Sequence, residues 1–279
     1  MASNLRTYGG GLPSFQKGGR FQKRRPGAPA GFFEAEAAGL RWLAEARAVP
    51  VVEVLDVDED CLTLTQLLPV TPTLDHAREF GIALAGMHDA SAPAYGWAPV
   101  DRAWFGPLEQ PFEVPVRTRR TFSDYWAGDR LALVADLAAS HFDASGWAKV
   151  KAAVAAVAEG AFEGISGGPA EPPARVHGDL WAGNVLWTRE GAVLIDPAAH
   201  AGHRLEDLAM LGLFGAPHLA EILRGYEQAH PMPECWRQDL PAHLFFGLLA
   251  HVHLFGAGYV GQAVEVAEQV VRRAEQLGG

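Results

Sequence analysis

Cysteine is nearly missing from this chain. Cys61 and Cys235 are the only two in 279 residues, too few for a disulfide framework or a four-ligand zinc site. Basic side chains are outnumbered, 23 against 33 acidic, for a formal net charge of −10. That balance excludes a general nucleic-acid binder, which needs Lys and Arg to neutralise phosphates. Met1 to Gly10 lacks the apolar stretch of a signal peptide, so the expected compartment is the cytoplasm. There is no internal repeat and no G-x-x-x-x-G-K-[ST], which excludes a Walker-type phosphate loop. Long apolar runs are also scarce. Leu240 to Val264 carries no formal charge and has the length of a bilayer span. It also holds Pro241, His243, His251, His253 and four glycines, and this content points to a buried core helix instead.

What is present reads as a folded globular protein, with 49% hydrophobic and 10% aromatic residues. The length fits one large domain or two lobes. Charge is uneven along the chain. Arg6, Lys17, Arg20, Lys23, Arg24 and Arg25 all precede the first acidic residue, Glu34. Interleaved glycines and short apolar alternations make this segment a folded candidate surface for an anionic ligand such as a nucleotide. Ser14–Lys17 and Arg20–Lys23 read as two strands joined at Gly18-Gly19. The period of Phe33, Ala37, Leu40 and Leu43 predicts a helix from Phe32 to Ala48, with Pro50 beyond its end. Val51–Val57 and Cys61–Leu68 read as strands around the Asp58-Glu59-Asp60 turn.

After Pro69 and Pro72 the texture becomes helical. Helices are expected at Leu74–Met87, at about 117–140 and 145–160, and over most of the chain from Leu205 onward. Residues 91–116 carry five prolines and read as a long ordered loop. The fold class expected is therefore α+β. Residues 1–68 form a small β-rich lobe and residues 69–279 a larger, mainly helical one.

The densest chemical signal is His177-Gly178-Asp179-Leu180-Trp181-Ala182-Gly183-Asn184, followed by Val193-Leu194-Ile195-Asp196-Pro197. Two adjacent turns thus present the oxygen-bearing side chains of Asp179, Asn184 and Asp196. Hard oxygen ligands suit Mg²⁺ bridging phosphates, and the remaining carboxylate can act as base toward a hydroxyl. His-Gly-Asp alone is common. The Asp-x₄-Asn spacing, with an apolar strand ending in Asp twelve residues after Asn184, is that of a phosphotransferase catalytic loop.

Around these residues the chain resembles the fructosamine/ketosamine kinase family, a branch of the protein-kinase-like phosphotransferases that includes aminoglycoside and choline kinases. The likeness rests on His177-Gly178-Asp179-Leu180-Trp181 with Gly183-Asn184, and on Asp196-Pro197-Ala198 with Gly202-His203-Arg204. It continues in Asp207-Leu208-Ala209-Met210, Leu213-Phe214-Gly215, Phe80-Gly81, Leu84-Ala85-x-Met87-His88, Gly106-Pro107-Leu108 with Gln110, and His251 to Tyr259.

The resemblance implies a two-lobed protein-kinase-like fold that uses ATP and Mg²⁺. In it Asp179 is the catalytic base, Asn184 and Asp196 hold the metal, and His177 orients the loop. Lys23 grips the α- and β-phosphates with Glu36 as its ion-pair partner, Lys17 and Glu34 being the rivals. Gly9, Gly10 and Gly11 form the phosphate-facing loop, and Gln66 and Leu68 complete the nucleotide site. Trp181, which either stacks on the sugar or packs, joins His203 and Arg204 on the substrate side.

Two departures stand out. Only eight residues precede Gly9, where the family has a full strand, and the family's His-Arg-Glu reads His203-Arg204-Leu205 with Glu206 one place later. The implied activity is phosphorylation of the sugar 3-hydroxyl of a small-molecule or protein-bound ketosamine. No nucleic acid or membrane partner is expected, and a monomer is favoured. The alternatives are a kinase for another sugar, amino alcohol or aminoglycoside, and a nucleotide-binding module with degraded activity.

Overall fold

Strand alternation sets the first element. In β1 (Arg20–Arg24) Phe21 and Lys23 turn inward while Arg20, Gln22 and Arg24 face solvent, as the two-residue period of a strand requires. The computed structural model describes residues 19–278. Gly9, Gly10, Gly11, Lys17 and the strand expected at Ser14–Lys17 lie outside the described residues. β1 pairs antiparallel with β3 (Cys61–Thr65), which pairs with β2 (Val54–Asp58) to give the order β1-β3-β2. Helix α1 (Phe32–Glu45) packs on this sheet through Phe33, Ala37 and Leu40.

The core beneath the sheet is shared between the two parts of the chain. Val193 and Ile195 pack against the same cluster as Phe33, Leu40, Leu62 and Leu64. Val51 is not in β2, as its β-branched run suggested. It makes a parallel bridge to Leu194, and Val52 N donates to Leu194 O at 3.0 Å. Residues 66–73 then cross to the helical part, with Gln66 N donating to Gly19 O and Val70 N to Trp187 O.

The larger part opens with α2 (Leu74–Asp89), capped by Thr73, whose side chain accepts from His76 N. The proline-rich stretch is not simply a loop. It holds an antiparallel hairpin, β4 (Ala103–Phe105) with β5 (Phe112–Val114), whose strands fit between Pro99, Pro107, Pro111 and Pro115. The helix expected from residue 117 starts later, at Asp124 with π-type pitch, and runs on into α3 (Ala132–Ala138). Arg119 is held in a bridge to Tyr95 before the helix can begin.

Helix α4 (Ala144–Ala158) follows. Then come β6 (Ala174–Val176), β7 (Val185–Thr188), β8 (Gly191–Leu194) and β9 (His200–Gly202), paired β6 with β9 and β7 with β8. Helices α5 (Arg204–Leu213), α6 (Leu219–Ala229), α7 (Leu240–Phe255) and α8 (Val260–Gly278) complete the chain. Trp236–Gly278 is long and apolar enough to cross a membrane by length and composition. Here Gly256 (φ 78°) ends α7, and Phe245, Leu248, Leu249 and Val252 are buried in the protein core.

Helices α2 and α6 meet backbone to backbone. A Cβ on Gly81 would lie 1.9 Å from Ile222 O, and one on Gly225 would lie 2.1 Å from Arg78 O. Neither carbonyl can retreat without moving a helix. Gly81→Ala is therefore expected to lower stability by about 1–3 kcal/mol, although alanine is the better helix former. The urea midpoint measures this, and an unchanged midpoint would mean the helices can separate freely.

Candidate active site

Lys23 faces inward from β1 and Glu36 lies on the apolar stripe of α1, so the fold drives an ammonium and a carboxylate into one buried place. A carboxylate on that stripe needs a partner. Lys23 Nζ donates to Glu36 Oε1 at 2.8 Å and Oε2 at 2.7 Å. Glu34, one position off the stripe, is exposed. The third member of the group is Asp196, whose Oδ1 is 3.2 Å from Lys23 Nζ. Burial works to lower the Lys23 pKa, but the carboxylates of Glu36 and Asp196 outweigh it and raise it. The lysine is thus a fixed positive charge.

Asp196 sits at the end of β8 with φ +54°, a left-handed conformation uncommon outside glycine but tolerated by Asp. Its carboxylate is part-exposed. Across from it, the loop between β6 and β7 carries Asp179 and Asn184. Asn184 Nδ2 donates to Asp179 O at 2.8 Å, Asp179 Oδ2 at 3.1 Å and Asp196 O at 3.3 Å. These bonds leave the amide oxygen for a cation. Removal from water, reinforced by the nearby Asp196 charge, pushes the Asp179 carboxyl up to about 7 against the pull of Asn184. A carboxylate of that basicity is suited to take a proton from a hydroxyl near neutrality.

The donor set fits Mg²⁺. It offers the part-exposed Asp196 carboxylate and the Asn184 amide oxygen, whose Nδ2 is bonded elsewhere. That ion takes few protein ligands and fills its shell with phosphate oxygens and water. Among the described residues no three His, Cys, Asp or Glu converge as a self-sufficient metal cluster.

The loop is held from behind by a residue whose local sequence assigns it no role. Asp207, fully buried in α5, accepts from His177 N at 2.7 Å and Gly178 N at 2.9 Å, and pairs with His88 Nε2 at 3.1 Å. His177 Nε2 donates to Ile195 O at 2.8 Å, which ties the loop to the strand leading into Asp196. The signal for Asp207 was its position in an apolar helical run, where a buried carboxylate must have partners.

Trp181 stands at the open side, 37% exposed. Its ring meets Phe214 edge-on at 5.8 Å, and Phe214 meets His251 at 5.3 Å. A Cβ on Gly183 would fall 2.2 Å from the indole, so that glycine lets the ring lie over the loop. Phe214 and His251 are a further part of this face that spacing alone did not single out.

His203 and Arg204, expected on the substrate side, are placed elsewhere. His203 Nδ1 accepts from Leu205 N at 3.1 Å and caps α5, with its ring against Phe122 and His243. Arg204 binds Glu171 at 2.9 Å, Asp89 at 3.0 Å and the Tyr226 hydroxyl at 3.0 Å. Both side chains are buried because the first turns of α5 are enclosed on every side, which does not bring them to the face that carries Trp181. Gln66 and Leu68 lie on the crossing segment, Leu68 being 74% exposed.

Comparison with known proteins places the chain in a family. The sequence profile of the fructosamine kinase family matches residues 16–273. The chain belongs to the fructosamine kinase family. It is 34% identical over 260 residues to a probable ketoamine kinase of Thermus thermophilus, covering 92% of this chain and 90% of that one. A probable ketoamine kinase of Enterococcus faecium is 30% identical, with 89% and 86% covered. The crystal structure of a candidate fructosamine-3-kinase from Thermobifida fusca superposes with a TM-score of 0.82 at 38% identity, covering 91% of this chain and 85% of that one. An aminoglycoside phosphotransferase bound to gentamicin, 11% identical with a TM-score of 0.56, shares the fold. Membership of this kinase family makes the chain a phosphotransferase of protein-kinase-like architecture, and it implies ATP as phosphoryl donor.

Proposed function

We propose that this protein transfers the γ-phosphoryl group of ATP to the sugar 3-hydroxyl of a ketosamine, a glycation adduct carried by a small amine or a protein lysine. The observation that carries this reading is the convergence of Lys23, Glu36 and Asp196 opposite Asp179 and Asn184, in a chain whose relatives are probable ketoamine kinases. Phosphoryl transfer is achieved mainly by positioning and charge neutralisation. Lys23, held by Glu36, contacts the donor phosphates. Asp196 and the Asn184 amide oxygen hold Mg²⁺, which when bound neutralises charge on the phosphates. Asp179 takes the proton from the acceptor hydroxyl, and the part-exposed Trp181–Phe214 face receives the sugar. That face is open to solvent, which suits an acceptor attached to something larger. The 3-phosphate product eliminates readily and frees the amine, so the activity serves deglycation in the cytoplasm.

The test is ATP consumption with Mg²⁺ over ribulosamine, erythrulosamine and fructosamine adducts of lysine, beside an aminoglycoside and choline. Turnover confined to ketosamines, with the phosphate located on the 3-hydroxyl by NMR, is the expected result. Turnover only on the aminoglycoside or choline overturns the acceptor assignment. Saturable ATP binding with no turnover on any acceptor points to a binding module.

A further inference from the structure

Asp196 occupies a left-handed backbone conformation, which costs on the order of 1 kcal/mol or more and persists only where its surroundings hold it. The carbonyls flanking it show how it is held. Ile195 O accepts from His177 Nε2 and Asp196 O from Asn184 Nδ2. Both partners belong to the catalytic loop. A third carbonyl, Ala198 O, accepts from His200 Nδ1 at 2.8 Å, and this contact has no place in the phosphoryl-transfer scheme.

His200 is itself fixed. Its Nε2 faces the Tyr125 hydroxyl at 2.5 Å and Glu206 Oε2 at 3.0 Å. The Tyr125 hydroxyl also donates toward Glu206 Oε2 at 3.4 Å. The other oxygen of Glu206, Oε1, accepts from His203 N at 2.6 Å and closes the capping box of α5. Glu206 is thus anchored at a helix start and presents its second oxygen to the histidine. Tyr125, His200 and Glu206 are all buried. The chain they form ends on a carbonyl pressed against the catalytic loop: a Cβ on Gly178 would lie 2.3 Å from Ala198 O and 2.8 Å from His200 Nδ1. The carboxylate displaced by one place from the family's His-Arg-Glu therefore points inward, behind the site.

We propose that His200, keyed by Tyr125 and Glu206, is a positioning residue that sets Asp196 at its metal-binding distance from the Asp179 loop. The inference rests on the phosphotransferase reading of the site. It predicts an effect on metal-dependent nucleotide binding, because the network ends on Ala198 O, two residues after Asp196, against the loop that carries Asp179. The network is separate from the Lys23–Glu36 pair. The experiment is calorimetric titration of the full chain with ADP, with and without Mg²⁺, in the wild type, Tyr125→Phe and Glu206→Gln.

Both variants are expected to keep the metal-free ADP affinity and to lose about tenfold of the gain that Mg²⁺ confers, the usual scale for residues that orient metal ligands. Tyr125→Phe removes one hydroxyl and keeps the packed ring, so it remains informative if Glu206→Gln fails to fold. Val157→Ala, a core change in α4, serves as control and should lower the melting temperature while the Mg²⁺ gain stays intact. A full Mg²⁺ gain in Tyr125→Phe overturns the proposal, as does an equal loss in Val157→Ala. A wild-type chain that binds no ADP in either condition overturns the phosphotransferase reading itself, and this inference with it.

Discussion

Asp179→Asn is expected to lower kcat by about 10²- to 10⁴-fold while nucleotide binding and the fold are retained. The magnitude is that of removing a general base from a positioned site. The replacement has the size of the original, and its amide oxygen can still accept the Asn184 Nδ2 hydrogen bond made at 3.1 Å. What it lacks is a proton acceptor. The loss is large because Asp179 is no ordinary surface carboxylate: withdrawal from water and the charge of Asp196 push it up to about 7, close to the basicity at which a general base works best near neutral pH. The Lys23–Glu36 ion pair assigned to the donor phosphates is formed by side chains other than Asp179, so ADP titration should give close to the wild-type affinity. Steady-state kinetics on whichever acceptor turns over decides the matter. A variant that keeps kcat within about twofold would exclude Asp179 as the base, since positioned proton transfer contributes far more than that.

The second large effect is a steep loss of stability in mild acid. His88, His177, His203 and His243 are each no more than 2% exposed. Burial is the leading cause that lowers the pKa of all four, with His243 reaching about 3. Folded, they resist protonation as the pH falls, His203 and His243 the most strongly. Unfolded, they take up protons near the ordinary histidine value of about 6.5. The unfolded state therefore binds more protons below that pH, and stability must rise with pH across the window.

A histidine held neutral contributes a slope approaching about 1.4 kcal/mol per pH unit. His243, lowered to about 3, keeps that slope across the window, and His88, His177 and His203 add to it in the same direction. Against a total stability of about 5–15 kcal/mol, His243 alone removes about 3 kcal/mol over two units below 6.5, and the other three deepen the loss. Urea midpoints measured from pH 8 to pH 5 should be flat above 7 and fall progressively below 6.5. A flat profile down to pH 5 would show that the four imidazoles are protonated in the fold. His243→Phe, which keeps an aromatic ring beside Phe122, should reduce the slope by one histidine's share.

Local patterns were the most legible part of the chain. The stripe of Phe33, Ala37 and Leu40 marks α1, and the helix does start at Phe32, though it ends at Glu45 rather than Ala48. The Asp-x₄-Asn spacing and the apolar strand before Asp196 are local as well, and the folded chain brings those three side chains into one group with Lys23. Less legible were elements whose backbone is stabilised from far away. Val51 looked like part of β2 because β-branching favours any strand, yet it bridges Leu194. The β4–β5 hairpin was hidden by prolines, which punctuate a hairpin as readily as a loop.

His203 and Arg204 illustrate the same limit within the site. The family resemblance implied a substrate-side role for them, and nothing local shows that α5 begins inside the protein with Glu171, Asp89 and Tyr226 around its first residue. Asp207 and Glu206 stand side by side in the sequence and serve different ends. One holds the amides of the catalytic loop and the other orients His200. Only the direction in which each side chain leaves the helix separates them.

Local sequence carried the chemistry on offer: three oxygen donors in two turns, and strand-like and helical periods around the lysines and glutamates of residues 17–36, with Lys23 and Glu36 picked out by the family resemblance. Those features depend on side-chain type and on the periods of 2 and 3.6, which are properties of neighbouring residues. Tertiary structure decided which groups meet. Lys23 reaches Asp196, 173 positions away in the chain, because Val193 and Ile195 share a core with the sheet that carries the lysine. Burial, which makes Asp179 basic and lowers the pKa of four histidines, depends on that packing. It exists only once segments distant in sequence have excluded water from the same place.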